Sequence, residues 1–191
     1  MIIEVKGVSK AFGELSVLDG VSFTASPDAP VAVTGASGSG KTTLMRIIMG
    51  LEKPDAGSVT FSPAPAKLRF GAVFQEDRLF DELDAAENVR LACGGIKRAD
   101  AERELLRLLP EDALQKPVGL LSGGQRRRVA IVRALMAKAD VIVMDEPFSG
   151  LDRQSAEAAE AYIREKLGSR ALIMAVHERD IPGWCSAVSL D

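Results

Sequence analysis

Short apolar runs alternate along this chain with longer stretches in which apolar residues recur at helical spacing. Mainly apolar runs predict buried strands at 31–34, 141–144 and 171–176, and the unbroken run at 141–144 is typical of a central strand buried on both faces. Other β-prone runs predict strands at 1–6, 17–24, 58–61, 68–74 and 187–190. Helices are predicted after residue 42 and at 84–91, 99–109, 125–138 and 155–167, with a turn at 9–13. Because strands and helices alternate, we predict an α/β fold with a doubly wound, mainly parallel sheet.

The stretch from about 84 to 120 differs from the rest because it contains predicted helices and no predicted strand. Asp84 and Glu87 have the spacing of a capping box at the start of its first helix, and Gly94-Gly95 ends that helix. The 191 residues have the length of one domain. We therefore predict a single domain, 1–191, with a core of residues 1–83 and 121–191 and a helical subdomain at about 84–120.

A phosphate-binding loop follows the strand at 31–34. The pattern G-x-x-x-x-G-K-[ST] is met by Gly35, Ala36, Ser37, Gly38, Ser39, Gly40, Lys41 and Thr42, and Thr43 continues into a helix. Glycines let successive N–H groups face one point, where a helix N-terminus adds its own donors. Lys41 can then reach the β- and γ-phosphates, and the Thr42 hydroxyl can ligate Mg²⁺. A ligand-free Gly/Ser loop is the alternative, but the strand and helix on either side favour a nucleoside triphosphate site.

Two acidic residues end the buried strand at 141–144. Asp145 and Glu146 would project from the C-terminal edge of a parallel sheet, where ligands bind in such folds. Asp145 can hold Mg²⁺ through water, and Glu146 can orient the attacking water or accept its proton. The alternative is a pair of solvated carboxylates, which the phosphate loop makes less favourable because bound phosphates and Mg²⁺ need such partners.

A second candidate anion site lies at Leu121-Ser122-Gly123-Gly124-Gln125. A serine cap, two glycines and a helix N-terminus together present backbone N–H groups to one point. Taken alone, this segment is better explained as a well-capped helix. One chain with one phosphate loop has little need for a second cradle, so the segment favours two chains that share nucleotides.

Charge and hydropathy exclude several classes of protein. The net charge is −3, which gives no general attraction to nucleic acid. The cluster Arg126–Arg128 is therefore predicted to be a solvated face with contacts near a partner chain's phosphates. No apolar run reaches the roughly 18–20 residues needed to span a bilayer. Met1–Lys6 is too short and too charged for a signal peptide, so we predict a cytoplasmic protein.

Further motifs complete a family pattern. Val73-Phe74-Gln75-Glu76 resembles a Q-loop, Leu121–Gln125 a signature motif, Val141–Glu146 a Walker B strand and Ser149–Asp152 a D-loop, and His177 follows a buried strand. In this order, over nearly its whole length, the chain resembles the ATP-binding subunit of an ATP-binding-cassette (ABC) transporter. The resemblance implies a P-loop NTPase fold with N-terminal antiparallel strands and an inserted helical subdomain.

The resemblance also implies a mechanism that uses ATP and Mg²⁺. Two subunits would dimerise head to tail, so that Ser122, Gly123, Gly124 and Gln125 of one chain meet the nucleotide bound at Lys41 of the other. Gln75 would reach the attacking water and also Mg²⁺, which Thr42 and Asp145 would bind as well. Glu146 and His177 would act at the γ-phosphate, and Asp152 would cross the interface. Phe12 corresponds to the aromatic residue that stacks on adenine, although a lone Phe near a strand end can equally be a core residue.

The resemblance implies a second ABC ATPase subunit as a partner, which is expected to be another copy of this chain. It also implies transmembrane permease subunits and, for an importer, a solute-binding protein. Nucleic acid is not expected as a partner. The protein would then lie at the inner face of the cell membrane, held there by the permease. The sequences of residues 74–79 and 145–152 resemble those of importers of the nitrate, sulfonate and taurine group. The alternatives are an ABC ATPase with a non-transport or soluble mechanical role and a P-loop kinase, which would leave 121–125 unexplained.

Overall fold

The computed structural model describes residues 1–191 and contains eight strands and six α-helices. The strands are β1 Ile2–Phe12, β2 Leu15–Ala25, β3 Val31–Thr34, β4 Ala56–Ser62, β5 Phe70–Val73, β6 Val141–Asp145, β7 Ala171–Ala175 and β8 Ser186–Ser189. The helices are α1 Lys41–Ile48, α2 Ala85–Ala92, α3 Arg98–Leu105, α4 Glu111–Leu114, α5 Gly123–Met136 and α6 Arg153–Leu167. None of these helices has both the length and the apolarity needed to cross a membrane.

The larger sheet is parallel throughout, in the order β5-β6-β7-β3-β8. Every residue of β3, β6 and β7 is buried, which explains why these strands are apolar apart from Thr34 and Asp145, the last residues of β3 and β6. In the register of the sheet, Ala175 lies opposite both Asp145 and Val33. The segments that follow β3, β6 and β7 therefore leave the sheet at one edge, side by side.

The smaller sheet is antiparallel, in the order β2-β1-β4. The turn predicted at 9–13 is wrong, because β1 continues to Phe12 and only Gly13 and Glu14 form the turn. Pairing with β2 sets this boundary: Lys10 lies opposite Leu18, and Phe12 lies opposite Leu15. Irregularities in the register of β1 obscure its alternation in the sequence, so a tertiary pairing overrides the local preference.

The predicted helices are all present, with some boundaries changed. Asp84 caps α2 by accepting a hydrogen bond from the Glu87 N–H at 2.9 Å. The helix predicted at 99–109 ends earlier, at Leu105, because turns then bring Leu108 and Leu109 into the core while leaving Leu106 exposed. Helix α6 begins at residue 153 rather than 155 because Asp152 is its cap.

Two hydrophobic clusters cover the parallel sheet. One contains residues of β1, β2 and α1 and inward-facing residues of β3, β6 and β7. The other joins α5, α6 and β6 to the helices between β5 and α5, so that Val89 and Leu105 belong to the same cluster as Val132 and Met144. Since α2 and α3 both pack on α5, the division of the chain at 84 and 120 stays a prediction.

Candidate functional site

The loop between β3 and α1 has the backbone that a phosphate cradle requires. Gly35, Gly38 and Gly40 have φ angles of 145°, 85° and 96°, in the range that favours glycine. At Gly40 a Cβ atom would also lie 2.7 Å from the carbonyl oxygen of Val17 in β2. Helix α1 begins at Lys41, and its own first turn contains no acidic residue that would offset the positive end of its dipole.

The Lys41 side chain is buried against its own loop. Its Nζ donates hydrogen bonds to the carbonyl oxygens of Gly35 at 2.7 Å and Ala36 at 2.8 Å. An ammonium group has three N–H donors, so one remains for a phosphate oxygen. The Ser39 hydroxyl is buried without a hydrogen-bond partner. The Ala36 N–H donates a hydrogen bond to Asp191 Oδ1 at 3.1 Å, a contact that no sequence pattern indicates.

The three residues predicted to hold the metal line one cavity. The Thr42 hydroxyl donates to Asp145 Oδ2 at 2.7 Å, and Gln75 lies on the wall of the same cavity. Burial raises the pKa of Asp145, and the hydrogen bond from Thr42 partly offsets that effect. No group of three His, Cys, Asp or Glu side chains could hold a metal unaided. A hydroxyl, an amide and a carboxylate are oxygen donors that suit Mg²⁺ when phosphate oxygens complete the shell.

Glu146 and His177 also come together at this edge of the sheet. His177 Nε2 lies 3.9 Å from Glu146 Oε1. Glu146 has a positive φ of 51°, which is unfavourable for a residue with a side chain, and its N–H donates to the carbonyl oxygen of Ala175 at 2.9 Å. The bond to β7 holds this conformation. The predicted catalytic pair is therefore placed beside the predicted metal site, since Asp145 precedes Glu146 directly.

The signature residues lie in a different cavity. Ser122 Oγ accepts from the Gln125 N–H at 3.2 Å, and Gln125 Oε1 accepts from the Ser122 N–H at 2.9 Å, a complete capping box for α5. The cavity at this helix end contains Gly123 and Gly124 and the D-loop segment 149–152, and no residue of the phosphate loop. One chain thus keeps its two candidate anion sites apart.

Asp152 uses its carboxylate within its own chain. Oδ1 accepts from the Ser155 N–H at 2.8 Å, and Oδ2 accepts from the Ser155 hydroxyl at 2.9 Å. The backbone hydrogen bond from Ser155 is the main reason that the pKa of Asp152 is lowered. Its predicted contact across an interface stays a prediction.

Phe12 is 50% exposed, and the Lys10 ammonium lies 5.2 Å from the centre of its ring. This exposure argues against the core alternative and leaves a ring face for stacking, which stays a prediction.

The prediction of a solvated face at Arg126–Arg128 is wrong. Arg127 is only 7% exposed and donates to the carbonyl oxygens of Phe74 and Gln75. Arg126 pairs with Asp81, and Arg128 donates to the Ser155 hydroxyl. The sequence pattern could not indicate these partners, because they lie far away along the chain.

Comparisons with known proteins identify the family. The family model described as ABC transporter matches residues 18–149. An Fe(3+) ions import ATP-binding protein of Rhodococcus jostii is 36% identical over 93% of this chain, which spans about half of that protein, 55% of its length. A lipoprotein-releasing system ATP-binding protein of Saccharophagus degradans is 38% identical over 84% of this chain and 78% of its own length.

A solved structure supports the same conclusion. The ATP-binding cassette MJ0796, in a dimeric post-hydrolysis state bound to ADP and Pi, matches with a TM-score of 0.83 and 28% identity over 99% of this chain and 94% of that chain. The predicted P-loop NTPase fold and the predicted family are confirmed. The chain belongs to the ABC transporter family.

Proposed function

We propose that this chain binds and hydrolyses ATP to drive the transport of a solute by a membrane ABC transporter. The observation that carries the proposal is the arrangement at the edge of the parallel sheet. There the phosphate loop, the Thr42–Asp145 pair and the Glu146–His177 pair follow adjacent strands. The match to a cassette bound to ADP and Pi supports hydrolysis as the reaction.

We assign each site residue a role from its position. The N–H groups of the loop and the remaining Lys41 donor bind the phosphates. Thr42, Gln75 and Asp145 would hold Mg²⁺, and the bound ion would neutralise charge on the β- and γ-phosphates. Glu146 orients the attacking water and accepts its proton, and His177 donates a hydrogen bond to the γ-phosphate. Phe12 stacks on adenine.

The separate cavity at Ser122–Gln125 supports a shared site between two copies of this chain. Phosphate bound at Lys41 of one copy would meet the N-terminus of α5 from the other copy, where the dipole is positive. The Ser122 hydroxyl accepts within the capping box, and its own proton stays available for a phosphate oxygen. ATP would thus close a head-to-tail dimer, and hydrolysis would reopen it.

An apolar groove beside the Q-loop supports a permease partner. Its rim carries Leu51, Phe80 and Leu91, all large apolar side chains that are more than half exposed, and its wall includes Phe74 next to Gln75. We assign this groove to a cytoplasmic segment of the permease, since closure around ATP would move a partner seated there. The chain would then lie at the inner face of the cell membrane.

We propose import as the direction of transport. The Fe(3+) import relative and the importer-like wording at 74–79 and 145–152 support import, whereas the lipoprotein-releasing relative does not. An importer would also involve a solute-binding protein outside the membrane. The solute itself would be selected by these other subunits.

The trapped dimer tests this function. The Glu146→Gln variant should lose ATP hydrolysis by about 10²–10⁴-fold, the usual contribution of a general base, and should accumulate as a dimer with ATP on size-exclusion chromatography with light scattering. Adding Ser122→Arg should abolish the dimer by filling the signature cavity. Glu178→Gln changes an exposed neighbour of His177 in the same way and is the matched control. A Glu146→Gln variant that stays monomeric with ATP would overturn the shared site.

A further inference from the structure

The Q-loop segment 74–78 is held by side chains rather than by its own main chain. Strand β5 ends at Val73, and no turn or loop hydrogen bond between main-chain groups involves residues 74–78. Two arginines of α5 supply donors instead. Arg127 donates hydrogen bonds to the carbonyl oxygens of Phe74 and Gln75. Arg133 donates hydrogen bonds to the carbonyl oxygens of Asp77 and Arg78. Helix α5 therefore determines the path of this loop.

Arg127 holds its two carbonyls as a fork. Nη1 donates to Phe74 O and Nη2 to Gln75 O, each at 2.6 Å. Nη1 also lies 3.3 Å from Asp77 Oδ1, which balances the charge of a guanidinium that is almost fully buried. Two parallel donors on a planar group fix orientation as well as position, and no other side chain can replace them.

The carbonyl that Nη2 holds belongs to the residue assigned to the metal. The Gln75 side chain starts from the same residue and lines the cavity with Thr42 and Asp145. We infer that Arg127 is a positioning residue for ATP hydrolysis, which fixes Gln75 toward the metal and ties it to the helix that begins at the signature. This inference rests on the proposed role of Gln75. With Arg127 in this place, the Q-loop and the signature helix would move as one unit.

The test measures metal affinity rather than turnover. Mn²⁺ binding to the Glu146→Gln protein with ATP can be followed by electron paramagnetic resonance. Arg127→Gln should weaken Mn²⁺ binding by about 10-fold, the low end for a group that orients a metal ligand. Arg133→Gln is the matched control, because it removes the same fork from the same loop two residues beyond Gln75. It should change Mn²⁺ affinity by less than about 2-fold.

A double variant shows whether Arg127 acts through Gln75. In the Gln75→Ala background, Arg127→Gln should cause no further loss of Mn²⁺ affinity. Equal losses in both backgrounds, or an equal loss in Arg133→Gln, would overturn the inference and leave the role of Gln75 intact. Unchanged affinity in Gln75→Ala alone would remove that role and the inference with it. If Arg127→Gln does not fold, Arg127→Lys keeps the charge beside Asp77, lacks the fork, and should show the same loss.

Discussion

Glu104 joins α3 to α6 through a buried network, and the Tyr162 hydroxyl is the part of it that can be removed most cleanly. Tyr162 donates to Glu104 Oε2 at 3.2 Å, and Lys166 Nζ donates to Oε1 at 2.7 Å. Glu104 is 8% exposed and Tyr162 is 2% exposed. Burial raises the pKa of Tyr162 above its ordinary value, so the phenol keeps its proton and remains a donor. The Tyr162→Phe variant removes only this donor.

The structure sets the expected size of the effect. A hydrogen bond to a charged group contributes about 1.5–3 kcal/mol, and 3.2 Å is long for an O–H donor, so the lower value of about 1.5 kcal/mol applies. The contact of Arg107 with the aromatic ring, 4.9 Å from its centre, would remain with Phe. At about 2–4 °C per kcal/mol for a chain of this length, the melting temperature should fall by about 3–6 °C.

Urea unfolding gives the free energy directly. The midpoint should fall with an unchanged m-value, because the exposed area on unfolding stays the same. In the Glu104→Gln background the cost of Tyr162→Phe should drop to about 1 kcal/mol, the central value for a neutral hydrogen bond. A cost below about 0.5 kcal/mol in the original background would refute the reasoning, and so would equal costs in both backgrounds.

Two further predictions concern the site and the groove. Asp145→Asn removes a buried carboxylate whose side chain accepts a single hydrogen bond, from Thr42. The nucleotide-free variant should therefore melt at a higher temperature than the unchanged protein, by about 2–4 °C for each kcal/mol of desolvation cost that is removed. The Mg²⁺-dependent stabilisation by ATP should disappear. A lower melting temperature without nucleotide would contradict this reasoning. Leu91→Glu should reduce recovery of a multi-span permease when the chain is purified from detergent-solubilised membranes. Leu106→Glu changes an exposed leucine outside the groove and should leave the recovery of the permease unchanged. Equal recovery with both variants would show that the groove is not part of the interface.

The parts of this protein that the sequence predicted are those encoded locally. Strands β3, β6 and β7 are buried on both faces, so each needs a mainly apolar run that can be recognised without knowing its neighbours. The phosphate loop is likewise encoded within one stretch, because its positive φ angles require glycine at fixed spacing. Adjacent strands then bring the separate motifs together, since parallel strands end at one edge.

What the sequence missed depends on contacts between distant segments. Arginines 126–128 look like a solvated run, yet Arg127 finds its partners 52 and 53 residues away, in a loop that has no main-chain partners of its own. The turn predicted at 9–13 failed for a related reason, because β1 extends as far as β2 pairs with it. No local pattern carries either fact.

Helix α5 carries both the signature motif, which the sequence pattern predicted, and the buried arginines, which it did not. Its N-terminus is the signature end, whose capping box leaves the helix dipole facing outward, and its arginines hold the loop that carries Gln75. A phosphate that a second copy presents to that N-terminus would pull on the whole helix, and through Arg127 on the proposed metal ligand of the first copy. Each nucleotide would then influence the metal site of the other. A change at Arg127 should therefore weaken the dependence of one site on the other more than it weakens ATP binding at either, because the phosphate loop itself makes no contact with Arg127.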